Sequence, residues 1–190
     1  NEYGQLGADY PTGALLGVVN GSDTPVPVKN GKYVHPTDTE QILNRTVKIA
    51  AFGYTGAAVT FDYNFDNSAW THGHVWGRIT GSAGTTVRAV PTILETAAGS
   101  ELEKVVSVGV GMSHVAAVAN DYTYAEGSND RGQMGNTGFT SSDYMTSMLA
   151  GESEQATGAM LDRSSKVYAG GDSTFVLSAD GRLLAVGENR

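Results

Sequence analysis

The sequence predicts an all-β protein built from tandem repeats, and three observations carry that expectation. The opening run NEYGQLG, residues 1–7, returns as GSNDRGQMG at Gly127 to Gly135, and its front half returns as GENR at Gly187 to Arg190. Val106, Val108 and Val110 alternate with Ser107, Gly109 and Gly111, the period of two that marks a strand. Short apolar runs are joined by Asn-Asp or Asp-Gly pairs, which supply the positive φ angles of tight hairpins. Recurrence at a fixed spacing outranks local propensity, because a missed repeat misassigns the whole fold.

Aligning the copies sets Gly111 on Gly170, His114 on Ser173, Val118 on Leu177, Gly127 on Gly187 and Asn129 on Asn189. A divergent copy, VKIAAFGYTGAAVTF from Val47 to Phe61, carries Gly53 at the matching place and continues into Gly73 to Gly77 and Gly81 to Gly84. Gly53 to Gly111 spans 58 residues, Gly111 to Gly170 spans 59 and Asn129 to Asn189 spans 60.

The hairpins follow in order. Val26 to Val34 has Asn30-Gly31 at its tip, and Pro25 and Pro27, which donate no ladder hydrogen bond, place it at a sheet edge. Thr37 to Glu40 ahead of Ile42-Leu43 fits a capping box on a helix of one or two turns. AAVTFDY and HVWG flank a polar loop from Asn64 to His72. HVAAV, Asn120-Asp121 and YTYAEG form one hairpin; FVLS, Ala179-Asp180-Gly181 and RLLAVG form another. Ser142 to Leu161 reads as a long polar loop anchored by Met145, Met148, Leu149, Met160 and Leu161.

The pattern V-x-x-G-x-x-H-x-x-A-V followed by G-x-N-x-x-G-Q-x-G resembles the RCC1 repeat family (regulator of chromosome condensation type). The matching positions are Asn1, Gly4, Gln5 and Gly7; then Gly111, His114, Gly127, Asn129, Gly132, Gln133 and Gly135; then Gly170, Gly187 and Asn189. The resemblance is carried by residues 47–84, 105–135 and 166–190, the last copy being completed by a motif like that at 1–7. Residues 8–46 match poorly and read as a divergent blade or an insertion, and the His, Asn and Gln of the pattern are missing from 47–84. The resemblance implies an RCC1-like β-propeller of four-stranded blades, here a partial one of about three, completed by further chain or by a partner copy. It implies binding through loops on the propeller faces. All 190 residues read as one propeller segment, with no linker dividing them.

Composition narrows the function. The net charge is −8 and the pI near 4.8, with no run of Lys or Arg, which argues against the basic stripe that displaces counterions from nucleic acid. There is no cysteine, so no disulfide and no thiolate site. No apolar run approaches the roughly 20 residues of a membrane helix. The chain starts at Asn1, compatible with a removed leader or a longer parent chain. The sequons at Asn20 and Asn44 read as accidental.

Chemistry-bearing residues are sparse. The Gly, Asn and Gln of the recurring motif suit turns, where Asn and Gln satisfy backbone groups. His114 reads as a hydrogen-bonded core residue, since no metal partner stands at a fixed spacing. Asp62, Asn64 and Asp66, with His72 and His74 nearby, form the most metal-like cluster, but the Gly and distal Glu of a calcium loop are absent. A polar hairpin tip is the expected reading, and no cofactor is implied. Neither G-x-S-x-G nor S-x-x-K occurs as a catalytic arrangement. Glu101, Glu103, Glu152, Glu154 and Asp162 read as solvated loop charges. Tyr10, Tyr33, Tyr63 and Trp70 are candidate interface anchors.

The function expected is a non-catalytic protein-interaction or structural scaffold module, part of a larger surface, secreted or virion assembly. Its partner would be another protein or copies of itself, with no nucleic acid, membrane insertion or small-molecule substrate. The alternatives are a regulator binding a small GTPase, an inhibitor of a secreted enzyme, or a glycan-active hydrolase, which needs two carboxylates across a cleft. An extracellular, cell-surface or virion location is favoured over the cytoplasm.

Overall fold

The computed structural model describes residues 3–8, 25–30, 42–63, 69–81, 84–151 and 158–189. Its strands, in chain order, are β1 (Thr46–Phe52), β2 (Thr55–Tyr63), β3 (Ala69–Gly81), β4 (Gly84–Ile93), β5 (Glu95–Ala97), β6 (Ser100–Glu101), β7 (Val105–Val110), β8 (His114–Ala119), β9 (Tyr122–Ser128), β10 (Ser141–Ser147), β11 (Ser164–Gly170), β12 (Ser173–Ser178) and β13 (Leu183–Gly187). The described chain is all-β. Three antiparallel sheets follow one another, β1-β2-β3-β4, then β7-β8-β9-β10, then β11-β12-β13, with the small β5-β6 hairpin between the first two.

The sheets stack face to face like propeller blades, and β8 shows why. Its sequence, HVAAVA, is buried at every position. Val115, Ala117 and Ala119 join the core shared with the first sheet, beside Ala57, Val59, Val75, Leu94 and Leu102. Ala116 and Val118 point the other way, into the core shared with the third sheet, beside Val167 and Val176. Successive strand residues face opposite sides, so a strand between two neighbours needs small apolar residues throughout rather than a polar alternation.

The ladders repeat with a regular period. Thr46 pairs with Thr60, Val105 with Ala119 and Ser164 with Ser178, a step of 59 residues each time. Each first hairpin slips at the same place, between Thr46 and Lys48, Val105 and Ser107, and Ser164 and Lys166. The residue before each first strand, Arg45, Lys104 or Arg163, has a positive φ of 52°, 57° or 54°. At the other end, the carbonyls of Tyr54, Ser113 and Asp172 accept from the amides of Arg78, Ser128 and Glu188 at 3.1, 2.8 and 3.0 Å. The residue before each of those amides is Gly77, Gly127 or Gly187, with φ of 95°, 113° and 120°. A Cβ at any of the three would overlap the accepting carbonyl oxygen, so only glycine fits.

This register refines the sequence alignment. Setting Gly53 on Gly111 puts Gly56 at the place of His114, but it is Thr55 that pairs with Gly77, as His114 pairs with Gly127 and Ser173 with Gly187. The divergent copy therefore keeps the glycine of the pairing and replaces the histidine by threonine. It also lacks the loop that follows Gly127, because β3 runs on to Gly81 and turns back into β4. The expected loop from Asn64 to His72 is shorter at its end, since β3 begins at Ala69. The expected loop from Ser142 to Leu161 opens as a strand, with β10 pairing to β9.

The described parts of residues 3–43 copy the connector that follows β9. Tyr3 N donates to Gln5 Oε1 at 3.0 Å, as Arg131 N donates to Gln133 Oε1 at 2.8 Å. Lys29 N donates to Gly7 O as Leu149 N donates to Gly135 O, both at 2.8 Å. Leu43 N reaches Val28 O, Leu102 N reaches Leu94 O and Leu161 N reaches Met148 O, at 2.8, 2.8 and 2.9 Å. Each sheet is thus entered through the same kind of link. The Asn30-Gly31 tip and the capping-box segment fall largely outside the described residues.

One ion pair ties the first two sheets. Arg88 Nη1 donates to Glu126 Oε1 at 2.8 Å, from β4 to β9, and the Glu126 side chain is buried. Burial pushes the Glu126 carboxyl up and the Arg88 guanidinium pulls it back. Removing one partner of such a pair leaves an uncompensated group in the core. Arg88→Met is expected to cost about 3–5 kcal/mol of unfolding free energy, read by urea denaturation, and Arg88→Met with Glu126→Leu should recover much of it.

Candidate interaction surface

The recurring motif folds as a cap held by its own side chains. Asn129 Nδ2 donates to the carbonyls of Asn136 and Phe139, both at 2.7 Å, and its Oδ1 accepts from Met134 N at 2.8 Å. Gly135 N closes a turn onto Gly132 O at 2.9 Å, as Gly7 N does onto Gly4 O at 2.8 Å. The Gln carbonyl of each motif takes a donor from the sheet it covers. Gln133 O accepts from Thr174 Oγ1 at 2.7 Å, and Gln5 O accepts from Trp76 Nε1 at 3.0 Å. Arg78 stacks on the Tyr3 ring at 5.0 Å and further secures the first cap.

His114 joins this network. Its Nε2 lies 2.7 Å from Thr174 Oγ1. Because the Thr174 hydroxyl donates to Gln133 O, it accepts from His114, which places the ring proton on Nε2. One relay, His114 to Thr174 to Gln133, therefore joins the second sheet, the third sheet and the cap. Gly111 leaves room for the ring, since a Cβ there would overlap it. In the first sheet His74 Nε2 lies 2.9 Å from Thr60 Oγ1. Burial pushes His74 down to about 4, with His72 adding to the shift. Burial also pushes His114 down to about 4, against an opposing pull from Asp172.

The third sheet presents an open apolar face. Tyr168 is 56% exposed, Phe175 40% and Leu183 65%. Tyr168 pairs with Phe175 and Phe175 with Ala185 in one row, and Lys166 pairs with Leu177 and Leu177 with Leu183 in the next, so the apolar side chains are contiguous with Lys166 at one corner. Their counterparts in the second sheet, one period earlier, are Gly109, Ala116, Ala125, Val118 and Thr123, all covered by the third sheet. On the other side of the third sheet, along β13, lies a cavity of about 710 Å³ between Leu184–Val186, Met148, Leu161 and the Asn129–Gly135 cap. The alignment already contained the signal that could have located the face. Residues that are small where a sheet is covered, Gly109 and Ala116, become Tyr168 and Phe175 where it is not.

The other candidates fall elsewhere. Asn1, Asn64, Asp66, Glu152, Glu154, Tyr10 and Tyr33 lie outside the described residues, and Asp62 is placed only by its backbone pairing with Trp70. His72 and His74 share a face of β3, where His72 Nδ1 stands 3.5 Å from Glu101 Oε2. Among the described residues no group of three His, Cys, Asp or Glu could hold a metal, and no helix is long and apolar enough to cross a membrane. Gly170 ends β11 and Asn189 is exposed beyond β13.

No protein-family model and no curated protein matches the chain. Among solved structures it is similar to yeast RCC1 (Prp20) bound to Kap60, at 16% identity and a TM-score of 0.47, over 76% of this chain and 30% of that one. It is likewise similar to Prp20p from Saccharomyces cerevisiae, a protein described with its binding properties to Gsp1p and histones, at 16% identity and a TM-score of 0.47, over 76% of this chain and 31% of that one. The chain spans about a third of the length of these structures.

Two outcomes follow from the cap and the rings. Asn129→Ala strips three hydrogen bonds from buried or half-buried backbone groups, and should cost about 3 kcal/mol in denaturant unfolding. Between pH 6.5 and 4 the unfolded chain takes protons on His74 and His114 that the fold refuses. Their contribution is therefore complete above that window and lost as pH falls through it, on the order of 3 kcal/mol for each ring. In urea titrations at about pH 7 and about pH 4.5, His114→Asn should lose less stability on acidification than the parent; equal losses would remove His114 from this role.

Proposed function

We propose that the chain is a non-catalytic protein-interaction scaffold, a building block of a larger assembly that works through the open face of its third sheet. One observation carries the reading: Tyr168, Phe175 and Leu183 occupy positions that the stacking buries in the second sheet and buries or half-buries in the first, yet here they meet solvent. A contiguous apolar face of this kind marks an interaction site, and Tyr and Phe are favoured at the centre of such surfaces. The antiparallel ladders and the hydrogen-bonded caps hold the face on a stiff frame, so binding orders little that is not already ordered.

Hydroxyl-radical footprinting tests this. Tyr168 and Phe175 should be labelled in the purified chain at high dilution and protected in the extract from which it is isolated. Equal labelling in both would defeat the proposal.

A further inference from the structure

The open face adjoins an open edge. β4 pairs beyond β3 and β10 pairs beyond β9, but among the described residues no strand pairs beyond β13. The cavity beside Leu184–Val186 runs along this edge. A fourth strand is therefore accommodated, and the chain itself contains a described segment suited to the place.

That segment is Pro25–Val28. The connector bonds equate Val28 with Leu94 and Met148, each of which accepts from the leucine that ends its link. Counting back, Pro25 takes the position of Pro91 in β4 and of Met145 in β10. Val26 takes the position of Thr92 and Thr146, which pair directly with Val75 and Ala125. Met148 N, two residues beyond Thr146, donates inward to Thr123 O at 2.8 Å, and Leu94 N donates to Gly73 O at 2.9 Å. In this register the amides of residues 26 and 28 face the third strand, while positions 25 and 27 face away. Those two are prolines, and a strand edge turned outward tolerates proline. The sequence around Pro25–Val28 thus has the form of a fourth strand, yet among the described residues it belongs to no sheet.

The first sheet supplies the matching face. Ile49 stands 59 residues before Val108, which stands 59 before Val167. Val108 is 7% exposed and Val167 1%, each buried against the preceding sheet, whereas Ile49 is 80% exposed. The interface that joins sheet one to sheet two, and sheet two to sheet three, is thus present a third time as two unfilled halves.

Resting on the scaffold reading above, we propose that the partner is a second copy of this chain, docked head to tail. Its Pro25–Val28 adds to β13 as a fourth strand, and its Ile49 seats on Phe175 and Leu177. Strand addition supplies main-chain hydrogen bonds and the apolar face supplies specificity. Tyr168 stands where Gly109 lets β11 approach closely, so the copies are held wider apart at β1. Ile49, larger than Val108 and Val167, fills that space. The contact is heterologous, so it propagates to a closed ring or an open chain according to the rotation per copy.

Light scattering of the purified chain tests the docking through a complementation that an isologous contact would not show. The parent should be an oligomer of the 19.8 kDa chain, while Phe175→Glu and Ile49→Glu should each be monomeric alone and form a one-to-one dimer when mixed. Ala185→Pro, which removes an amide at the position equivalent to Ala125, should dissociate the parent while leaving its circular dichroism unchanged. A parent that stays monomeric while Tyr168 and Phe175 are protected in the extract would overturn the second-copy proposal and leave the scaffold reading standing. Equal footprinting in both samples would remove the scaffold reading itself. Oligomers that survive both glutamate variants would overturn the proposed geometry.

Discussion

A sheet stacked between two others has no solvent face, and this constraint governs the middle of the chain. β8 meets it with His114 and five small or β-branched apolar residues, all buried, feeding one core on its odd positions and the other on its even ones. Interiors pack at near-crystalline density, so what one face gains in volume its neighbour must lose. Gly109 shows the limit. A Cβ there would crowd the backbone of Tyr168 and Ala169, and β7 and β11 approach as closely as they do because none is present. The face of the third sheet carries Tyr168 and Phe175 at the corresponding places because nothing within the described chain presses on it.

Burial of apolar side chains sets the distance between sheets, but polar contacts fix their register. Ser107 Oγ accepts from Val167 N at 3.1 Å, and Thr123 Oγ1 donates to Ser164 Oγ at 2.7 Å, both across the second seam. The caps add the third dimension. Gln133 holds its own turn through Oε1 and takes the Thr174 hydroxyl on its backbone carbonyl, so one residue joins a loop to the next sheet. Buried polar groups are costly when unpaired and specific when paired. A recurring Asn, Gly and Gln motif is therefore a means of registering one sheet on the next, which explains its recurrence without any catalytic role.

The parts of this fold that were legible in the sequence are those where one residue type answers one geometric demand. Asn120-Asp121 has φ of 51° and 68° and makes the β8-β9 hairpin turn, and Gly181 has φ of 86° in the β12-β13 turn. The strands on the sheet rims were less visible. β10, SSDYMTS, pairs on one side only, breaks register between Ser142 and Thr146, and is partly wet on both faces, so it shows neither alternation nor an apolar run. Residues 25–30 and 42–43 act through backbone bonds that almost any side chain permits, which hid their equivalence to the later link. The register of the divergent copy slipped by one because Phe52, not Gly53, stands at the place of Gly111 and Gly170, and Gly53 is the first residue of the two-residue turn, where Met112 and Gly171 stand in the later copies. The interaction face was hidden for a different reason: an exposed aromatic and a buried one read alike until the covered sheets show which positions stay small.

The sharpest record of how the copies diverged is a single position on the third strand of each sheet, the one before the obligatory glycine. It is Trp76 in the first sheet, Glu126 in the second and Val186 in the third, paired with Gly56, Val115 and Thr174. All three face the link that enters their own sheet. Trp76 fills the space with its ring against Gly7 and Gly56 and bonds Gln5. Glu126 meets no cap, because β3 and β4 extend in its place, and the carboxylate is instead held by Arg88 from that extension. Val186 is too small for the space and too apolar for an ion pair, so Thr174 takes over the bond to the cap and a cavity remains beside it. Losing the cap in one sheet and the large side chain in another are the same event seen from two sides. Where one partner shrinks, either another side chain enters, as Arg88 does beside Glu126, or a cavity is left, as beside Val186.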